Sequence, residues 1–291
     1  MKIVIVGSTG MMGRELVRTF DSMHDVTVID ADEVPLESRD TCRRAIESET
    51  PDWVVNAAGC ADADECERNP QYSQAVNLER PRNIALAAHE AGARLVHYST
   101  DYVFDGSKGA PYTENDPCRP MAVYGGHAVK AEDYISTLSD RWLIIRTAWL
   151  FGLGENDYVR AVCDRAACGE TISALDGPQG SLSYAVDVAV ATRMLMEGDH
   201  AGVFHVSNRG RCTRWAMTRE IVSIIGRDDV EVVPVSATEM PRAAAQPPHV
   251  VLSTRKLTDR TGRTLQFWQL ALRHHIARLR DEPLREKVKK A

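Results

Sequence analysis

Residues 2–13 read Lys-Ile-Val-Ile-Val-Gly-Ser-Thr-Gly-Met-Met-Gly, and this stretch decides the fold. The run Ile3–Val6 is apolar and β-branched, which is typical of a buried strand. Glycines follow at a GxxGxxG spacing, and the amphipathic segment Met12–Phe20 predicts a helix directly after them. Glycines in such a turn permit a positive φ and let the backbone approach a pyrophosphate, which the helix N-terminus attracts. The stretch therefore predicts a dinucleotide-binding site.

A carboxylate at Asp30 ends the second strand candidate, Val26–Asp30, about 20 residues after the first strand. A carboxylate at this position can bind the adenosine ribose hydroxyls, and its charge repels the 2′-phosphate of NADP. The expected cofactor is therefore NAD or NADP, with NAD favoured. The residues predicted from this pattern to contact it are Gly7, Thr9, Gly10, Met11, Met12, Gly13 and Asp30.

Short apolar runs alternate with helical patterns through the first half of the chain, including a long predicted helix over Tyr72–Ala91. This alternation predicts an α/β fold, a Rossmann-type doubly wound parallel sheet covered on both faces. After residue 150 the strands become shorter, which predicts a smaller C-terminal α/β lobe for the substrate. We therefore expect a cofactor domain over 1–150 and a substrate lobe over 151–291, with interleaved segments. The charged tail, Asp281–Ala291, is expected to be a solvated helix end.

Composition excludes several classes of partner. The chain has 291 residues, of which 44% are hydrophobic and 26% are charged, as in an ordinary globular protein. With 35 basic and 41 acidic side chains the net charge is −6, which argues against nucleic-acid binding. No run approaches the ~20 apolar residues of a membrane span, and the apolar run after Lys2 is too short for a secretory signal.

Seven scattered cysteines form no CxxC motif, so we expect free thiols, a cytoplasmic location and no metal site. An acidic run follows the third strand candidate and comprises Asp62, Asp64, Glu65 and Glu67. We interpret it as a solvated loop that enters a helix, and a metal site is the alternative.

The stretch Ser99–Gly106 reads Ser-Thr-Asp-Tyr-Val-Phe-Asp-Gly, and Tyr124-Gly125 follows it. These motifs resemble the extended short-chain dehydrogenase/reductases, and among them the dTDP-4-dehydrorhamnose reductase family. Looser matches in the same order extend over nearly the whole chain, at Pro51–Ala58, Ala75–Asn77, Arg146–Gly152, Gly180–Ala185 and Leu252–Leu257. The resemblance implies hydride transfer from a nicotinamide to a sugar ketone, on a Rossmann domain that carries a small substrate lobe.

The resemblance also implies roles for individual residues. Tyr124 matches the tyrosine that protonates the developing alkoxide, and Thr100 matches the hydroxyl that hydrogen-bonds the carbonyl oxygen. Further cofactor contacts are implied at Ala57, Ala58, Gly59, Asn77, Ser99 and Tyr124. Substrate contacts are implied at Cys60, Asp101, Tyr102, Trp149 and Arg242.

The chain departs from the family at the catalytic lysine. Ala128 stands where the family has a lysine, whose charge lowers the pKa of the tyrosine and which holds the nicotinamide ribose. At about 100° per helical residue, Ala128 lies about 40° from Tyr124, whereas Lys130 lies about 240° round and points elsewhere. His127 lies about 60° to the other side, so it is our third catalytic candidate. An ordinary surface histidine is the alternative.

Two further departures concern the substrate. In the Pro-rich loop 241–248 the family commonly has an arginine before a proline, whereas this chain has Gln246-Pro247 and, four residues earlier, Arg242. Either Arg242 binds the diphosphate of a nucleotide-sugar, or the substrate lacks that phosphate. Cys60 stands where the family usually has a tyrosine, and Trp149 has a core aromatic as its alternative role.

The function that we predict is an NAD(P)-dependent reductase of a sugar-like or other small carbonyl substrate, with nucleotide-sugars among the candidates. One alternative is a non-catalytic dinucleotide-binding protein, similar to the regulatory subunit of methionine adenosyltransferase. The other is a cyclase or lyase on the same fold, in which the bound NAD has no net redox turnover. The sequence leaves open whether the chain forms a homodimer.

Overall fold

The computed structural model describes residues 1–30 and 34–281. Its strands, in chain order, are β1 Lys2–Val6, β2 Asp25–Ile29, β3 Trp53–Asn56, β4 Arg94–Thr100, β5 Trp142–Thr147, β6 Leu150–Phe151, β7 Ile172–Leu175, β8 Gln179–Gly180, β9 Ser183–Tyr184, β10 Gly202–His205, β11 Val232–Val235 and β12 His249–Val250. Its helices are α1 Met11–Phe20, α2 Arg39–Glu47, α3 Ala63–Arg68, α4 Pro70–Gln74, α5 Arg80–Glu90, α6 Val123–Leu138, α7 Tyr158–Ala167, α8 Ala185–Glu197, α9 Arg214–Ile224, α10 Arg255–Thr261 and α11 Trp268–Asp281.

The main sheet has six parallel strands in the order β10-β5-β4-β3-β1-β2. Successive side chains of β1 point to opposite faces, and Ile3 and Ile5 pack with α1 and α8, whereas Val4 and Val6 pack with α2, α5 and α6. All four side chains are fully buried, which explains the continuous apolar run in the sequence. The predicted doubly wound parallel sheet is confirmed.

The strand order reverses at β1, which pairs with β2 on one side and with β3 on the other. In an open α/β sheet, ligands bind beyond the carboxyl ends of the strands at such a reversal. The glycine turn after β1 and the residues after β3 and β4 therefore share one edge of the sheet.

A smaller lobe packs α7, α9 and α11 around the parallel pair of β7 and β11. Its core includes Val159, Met217, Ile221, Trp268 and Leu272. The chain does not stay in this lobe, because α8 packs against α1 and β10 pairs with β5 in the main sheet. The division into two domains at residue 150 therefore stays a proposal, and we assign residues 185–205 to the first domain.

The helix predicted over Tyr72–Ala91 is interrupted. Residues Ala75–Glu79 form a π-helix between α4 and α5, and the backbone N–H of Arg80 donates to the carbonyl of Ala75. Pro81 has no N–H to donate to the carbonyl four residues earlier, so an α-helix loses a hydrogen bond at this point. The predicted long helix is therefore present, since α4, the π-helix and α5 follow one another without a gap, but its middle segment is not a regular α-helix.

No helix in the described part of the chain combines the length and apolarity that a bilayer crossing requires. Residues 1–30 and 34–281 also contain no group of three or more His, Cys, Asp or Glu side chains arranged to hold a metal ion. Of the predicted tail Asp281–Ala291, only Asp281 lies within the described residues, where it ends α11.

Candidate active site

The glycine turn is built by two close backbone contacts. Gly7 has φ +87°, and a Cβ there would lie 2.8 Å from the Cα of Ala58. A Cβ on Gly13 would lie 2.0 Å from the carbonyl oxygen of Gly7, whereas one on Gly10 would meet nothing closer than 3.7 Å. Gly7 and Gly13 therefore fix the turn against β3 and α1, and Gly10 leaves room for a ligand.

The start of α1 fits the pyrophosphate of a dinucleotide. Gly10 is the N-cap residue of α1, and no side chain caps the helix. The first backbone N–H groups of a helix have no partner within it, and they attract an anion. The side chain of Met12 is buried in the core, so only its backbone N–H can contact a cofactor. The Met11 side chain packs against the loop that contains Gly152 and Gly154, where a Cβ on either glycine would lie 3.2–3.5 Å from it.

Asp30 lies directly against the glycine turn. Its carboxylate accepts hydrogen bonds from the Ser8 hydroxyl at 2.8 Å and from the Thr9 backbone N–H at 3.3 Å. Nearby, Arg14 donates to the Thr9 carbonyl at 2.8 Å, and Arg39 is held in an ion pair by Glu90. The carboxylate therefore stands where the sequence predicts the ribose contact.

The loop after β3 is fixed by one amide side chain. Asn77, in the π-helix, accepts from the backbone N–H of Cys60 at 2.9 Å and donates to the Cys60 carbonyl at 3.0 Å. A Cβ on Gly59 would lie 3.0 Å from the Asn77 Oδ1, so the loop passes close to this side chain. The wide π-helical turn places Asn77 so that it orders Ala57–Cys60 at the strand ends.

The acidic run after β3 is not a solvated loop, and this prediction was wrong. Asp62 caps α3, but the carboxylate of Asp64 accepts from Arg242 Nε at 3.0 Å and from the Ala244 backbone N–H at 2.9 Å. Glu67 accepts from the Val123 backbone N–H at 2.9 Å, at the start of α6. The run therefore ties the Pro-rich loop and α6 to the catalytic edge.

The two main catalytic candidates meet beyond β4. Thr100 is buried, and its hydroxyl donates to the carboxylate of Asp101 at 3.2 Å. The same hydroxyl is near enough to the Tyr124 side chain to oppose the rise in its pKa. The Tyr124 ring also packs edge-on against Tyr102, with ring centroids 5.6 Å apart. Ala244 of the Pro-rich loop packs in the same small cluster. A hydroxyl pair next to the dinucleotide loop is the arrangement that proton delivery to a carbonyl oxygen requires.

Burial dominates the electrostatics of this pair. It raises the pKa of Tyr124 well above its usual range, and the nearby Asp101 adds to the rise while the Thr100 hydrogen bond opposes it. Burial also raises the pKa of Asp101 to about 7. Ala128, at the position of the family lysine, is 7% exposed and packs with Val103 and Phe104. Nothing at that position stabilises a tyrosinate.

His127 faces a different neighbour. Its Nδ1 lies 2.9 Å from the hydroxyl of Ser73 on α4, and that hydroxyl also accepts from Asn77 at 3.4 Å. Burial and the charge of Lys130 lower the pKa of His127. In the described part of the chain no hydrogen bond joins His127 to Tyr124, so its catalytic role stays a prediction.

A buried ion pair holds α6 to the sheet. Glu132 accepts from Arg146 Nε at 3.0 and 3.2 Å and from its Nη2, and it also accepts from the Ser99 hydroxyl. Arg146 and Glu132 are 4% and 6% exposed. Ser99, predicted to contact the cofactor, is thus engaged with Glu132. The ion pair joins α6, which carries Tyr124, to β5, and the contact of Glu132 with Ser99 joins the same helix to β4, which ends at Thr100.

Trp149 lies where the main sheet meets the lobe, and it has a positive φ of +40°. Its indole would be 2.7–2.9 Å from a Cβ on Gly180. The guanidinium of Arg214 stacks over the same indole at 4.2 Å. Arg214 was missed by the sequence reasoning, since one arginine at a helix start carries no motif.

The chain matches the family described as RmlD substrate binding domain over residues 1–281. It is 32% identical to a dTDP-4-dehydrorhamnose reductase of Streptomyces griseus, over 92% of this chain and 91% of the relative. The chain belongs to the RmlD substrate binding domain family.

Solved structures of two further relatives have the same fold. A dTDP-4-dehydrorhamnose reductase of Clostridium acetobutylicum is 29% identical, with a TM-score of 0.91 over 96% of this chain and 100% of that one. A Bacillus anthracis reductase of the same name, in complex with NADP, is 27% identical, with a TM-score of 0.92 over the same shares. The predicted resemblance is confirmed, and the relatives' names agree with an NAD(P)-dependent oxidoreductase. The preference of this family member for NAD stays a prediction.

We expect the buried pair to matter far more than an exposed one. Glu132→Ala leaves Arg146 charged and buried without its partner, which costs about 3–5 kcal/mol of unfolding free energy. Glu90→Ala removes the partner of exposed Arg39 and is the matched control, with an expected cost of about 0–1 kcal/mol. Urea unfolding of both variants measures the difference, and equal costs would contradict this role of Glu132.

We expect tighter binding of NADH than of NADPH. A phosphate charge about 4 Å from the Asp30 carboxylate costs about 1–4 kcal/mol at effective dielectric constants between 80 and 20. Asp30→Ala should reduce the difference, whereas Asp25→Ala, at the opposite end of β2, should not change it. Fluorescence titration measures the affinities of all three proteins for both cofactors, and native protein that binds NADPH as tightly as NADH would show the prediction to be wrong.

Proposed function

We propose that this protein is an NAD(P)-dependent reductase that acts on the ketone of a nucleotide-linked sugar. The observation that carries the proposal is that Thr100 and Tyr124 lie together beyond β4, at the same edge of the sheet as the dinucleotide turn that follows β1. The relatives' names, dTDP-4-dehydrorhamnose reductase, support a sugar nucleotide as the substrate class.

The chain's own residues divide the work between binding and proton transfer. The bound nicotinamide cofactor would supply the hydride. The uncapped start of α1 holds the pyrophosphate, and Asp30 holds the adenosine ribose. Thr100 donates a hydrogen bond to the carbonyl oxygen of the substrate, and Tyr124 donates the proton that this oxygen takes up. Tyr102 and Ala244 pack around Tyr124 and keep water away from its hydroxyl.

The absence of a lysine at Ala128 favours ketone reduction over alcohol oxidation. A tyrosine with a raised pKa keeps its proton at neutral pH, so Tyr124 is always ready to act as an acid. Alcohol oxidation requires the tyrosinate as a base, and no charge at Ala128 stabilises it. We therefore propose reduction as the direction, at a lower rate than a lysine-assisted site would reach.

One observation favours a second candidate function. Ala128 is packed in an apolar cluster with Val103 and Phe104, so this position offers no charge to a nicotinamide ribose or a tyrosinate. A protein that binds a dinucleotide without turning it over has no need of that lysine. In this second candidate the glycine turn and Asp30 keep their role, and Tyr124 is a packing residue.

A substitution on α6 separates the two functions. Tyr124→Phe should lower the rate of NADH oxidation with a dTDP-4-keto sugar by about 10²–10⁴, the contribution of a general acid. Tyr134→Phe, on the same helix with its ring against Arg82, is the control and should leave the rate unchanged. NADH binding without oxidation in native protein would favour the second candidate, as would a Tyr124→Phe variant with the native rate.

We also propose that the protein acts in the cytoplasm, because all seven cysteines are free thiols. Whether it forms a homodimer is decided by its mass in solution.

A further inference from the structure

Arg214 lies at the catalytic edge without an acidic partner. Its guanidinium stacks over the rings of Trp149 at 4.2 Å and Tyr158 at 4.8 Å. An arginine has five N–H donors, and the one hydrogen bond to Arg214 that the structure gives joins its Nη1 to the Met217 Sδ, a weak acceptor, at 3.6 Å. Among residues 1–30 and 34–281, no carboxylate forms an ion pair with it.

The position of Arg214 in its helix makes this isolation costly. Arg214 is the first residue of α9, and the first turn contains no acidic side chain. The N-terminus of a helix has a partial positive charge, so a cation there is unfavourable. Thr213 already caps the helix by accepting from the Ala216 backbone N–H at 3.1 Å. The positive charge that has no acidic partner is therefore that of the Arg214 guanidinium.

The neighbouring groups do not neutralise Arg214. Burial lowers the pKa of Arg214, and the positive charge of Arg242 adds a smaller contribution in the same direction. Arg242 has its own partner in Asp64, whereas Arg214 has none. Asp101 feels the charge of Arg214, but burial raises the pKa of Asp101 to about 7, so that carboxyl is only partly ionised at neutral pH. The group of charges is left with a positive excess.

We propose that Arg214, with Arg242 beside it, binds an anionic oxygen group of the carbonyl substrate and so selects substrates that carry one. The planar guanidinium, fixed between two aromatic rings, can make two parallel hydrogen bonds to a phosphate or a carboxylate. The identification of the ligand as the substrate rests on the proposed function. The anion has two sources on a sugar nucleotide, namely its diphosphate and a carboxylate on its sugar.

Binding measurements without turnover test the proposal. Isothermal titration calorimetry measures ligand binding to native protein and to Arg214→Gln. The contribution of the phosphate is the difference between dTDP and thymidine. The contribution of the sugar carboxylate is the difference between UDP-glucuronate and UDP-glucose. Loss of one charge-assisted contact should weaken binding about 10- to 100-fold. If the phosphate is the ligand, Arg214→Gln weakens dTDP but not thymidine. If the carboxylate is the ligand, the loss is confined to UDP-glucuronate.

Arg219→Gln is the matched control. Arg219 lies on the same helix, is exposed, and stacks over Trp215 at 5.0 Å, so its substitution also removes one charge and one ring contact. Arg214→Lys keeps a charge without the planar fork and should show a smaller loss. NADH affinity and the urea midpoint, unchanged in each variant, show that the protein is folded.

The proposal is overturned if Arg214→Gln alters no probe more than Arg219→Gln does. It is also overturned if native protein binds dTDP no more tightly than thymidine and UDP-glucuronate no more tightly than UDP-glucose. Because these titrations need no turnover, they measure the contribution of Arg214 to ligand binding even if the protein has no reductase activity. Reductase activity combined with binding that is independent of Arg214 would reject this inference alone.

Discussion

The buried ion pair of Glu132 and Arg146 is the interaction on which the site depends. Glu132 lies two helical turns beyond Tyr124, and its carboxylate binds both the Arg146 guanidinium on β5 and the Ser99 hydroxyl on β4. Thr100 is the next residue after Ser99, so one carboxylate fixes the distance between the two hydroxyls that face the substrate. A charged pair at this depth is tolerated because the two opposite charges compensate each other, although Nη1 of Arg146 has no hydrogen-bond partner in the described part of the chain.

The sequence predicted the cofactor half of the molecule well, for a physical reason. The apolar strands, the glycine turn and Asp30 are patterns of residues that are close in sequence, and each predicts one arrangement in a parallel sheet. The other half depends on contacts between distant segments. Asp64 holds Arg242 across 178 residues, and an acidic run by itself looks like a solvated surface. Arg214 is a candidate binding residue only because of the aromatic rings next to it and the absence of a carboxylate partner in the described residues. Sequence spacing predicts neither of these.

The departures from the family lie on the substrate side of the site. The dinucleotide turn retains every glycine that its backbone contacts require. The proton-transfer position has lost its lysine at Ala128, and a guanidinium without a carboxylate partner stands at Trp149. In the proposed function, these differences leave the dinucleotide site as in the family and alter the charges around the proton donor and the substrate.

The pH dependence of reduction tests this account most directly. Single-turnover NADH oxidation with a dTDP-4-keto sugar should show no loss of rate from Tyr124 ionisation between about pH 7 and about pH 9.5, because burial holds its pKa above that range. An ammonium introduced by Ala128→Lys stabilises the tyrosinate, so a decline at high pH should then appear. Because Asp101 has a pKa of about 7, its own ionisation is removed in Asp101→Asn. A rate that falls with an apparent pKa near 7 in both the native enzyme and Asp101→Asn would contradict a buried, lysine-free proton donor.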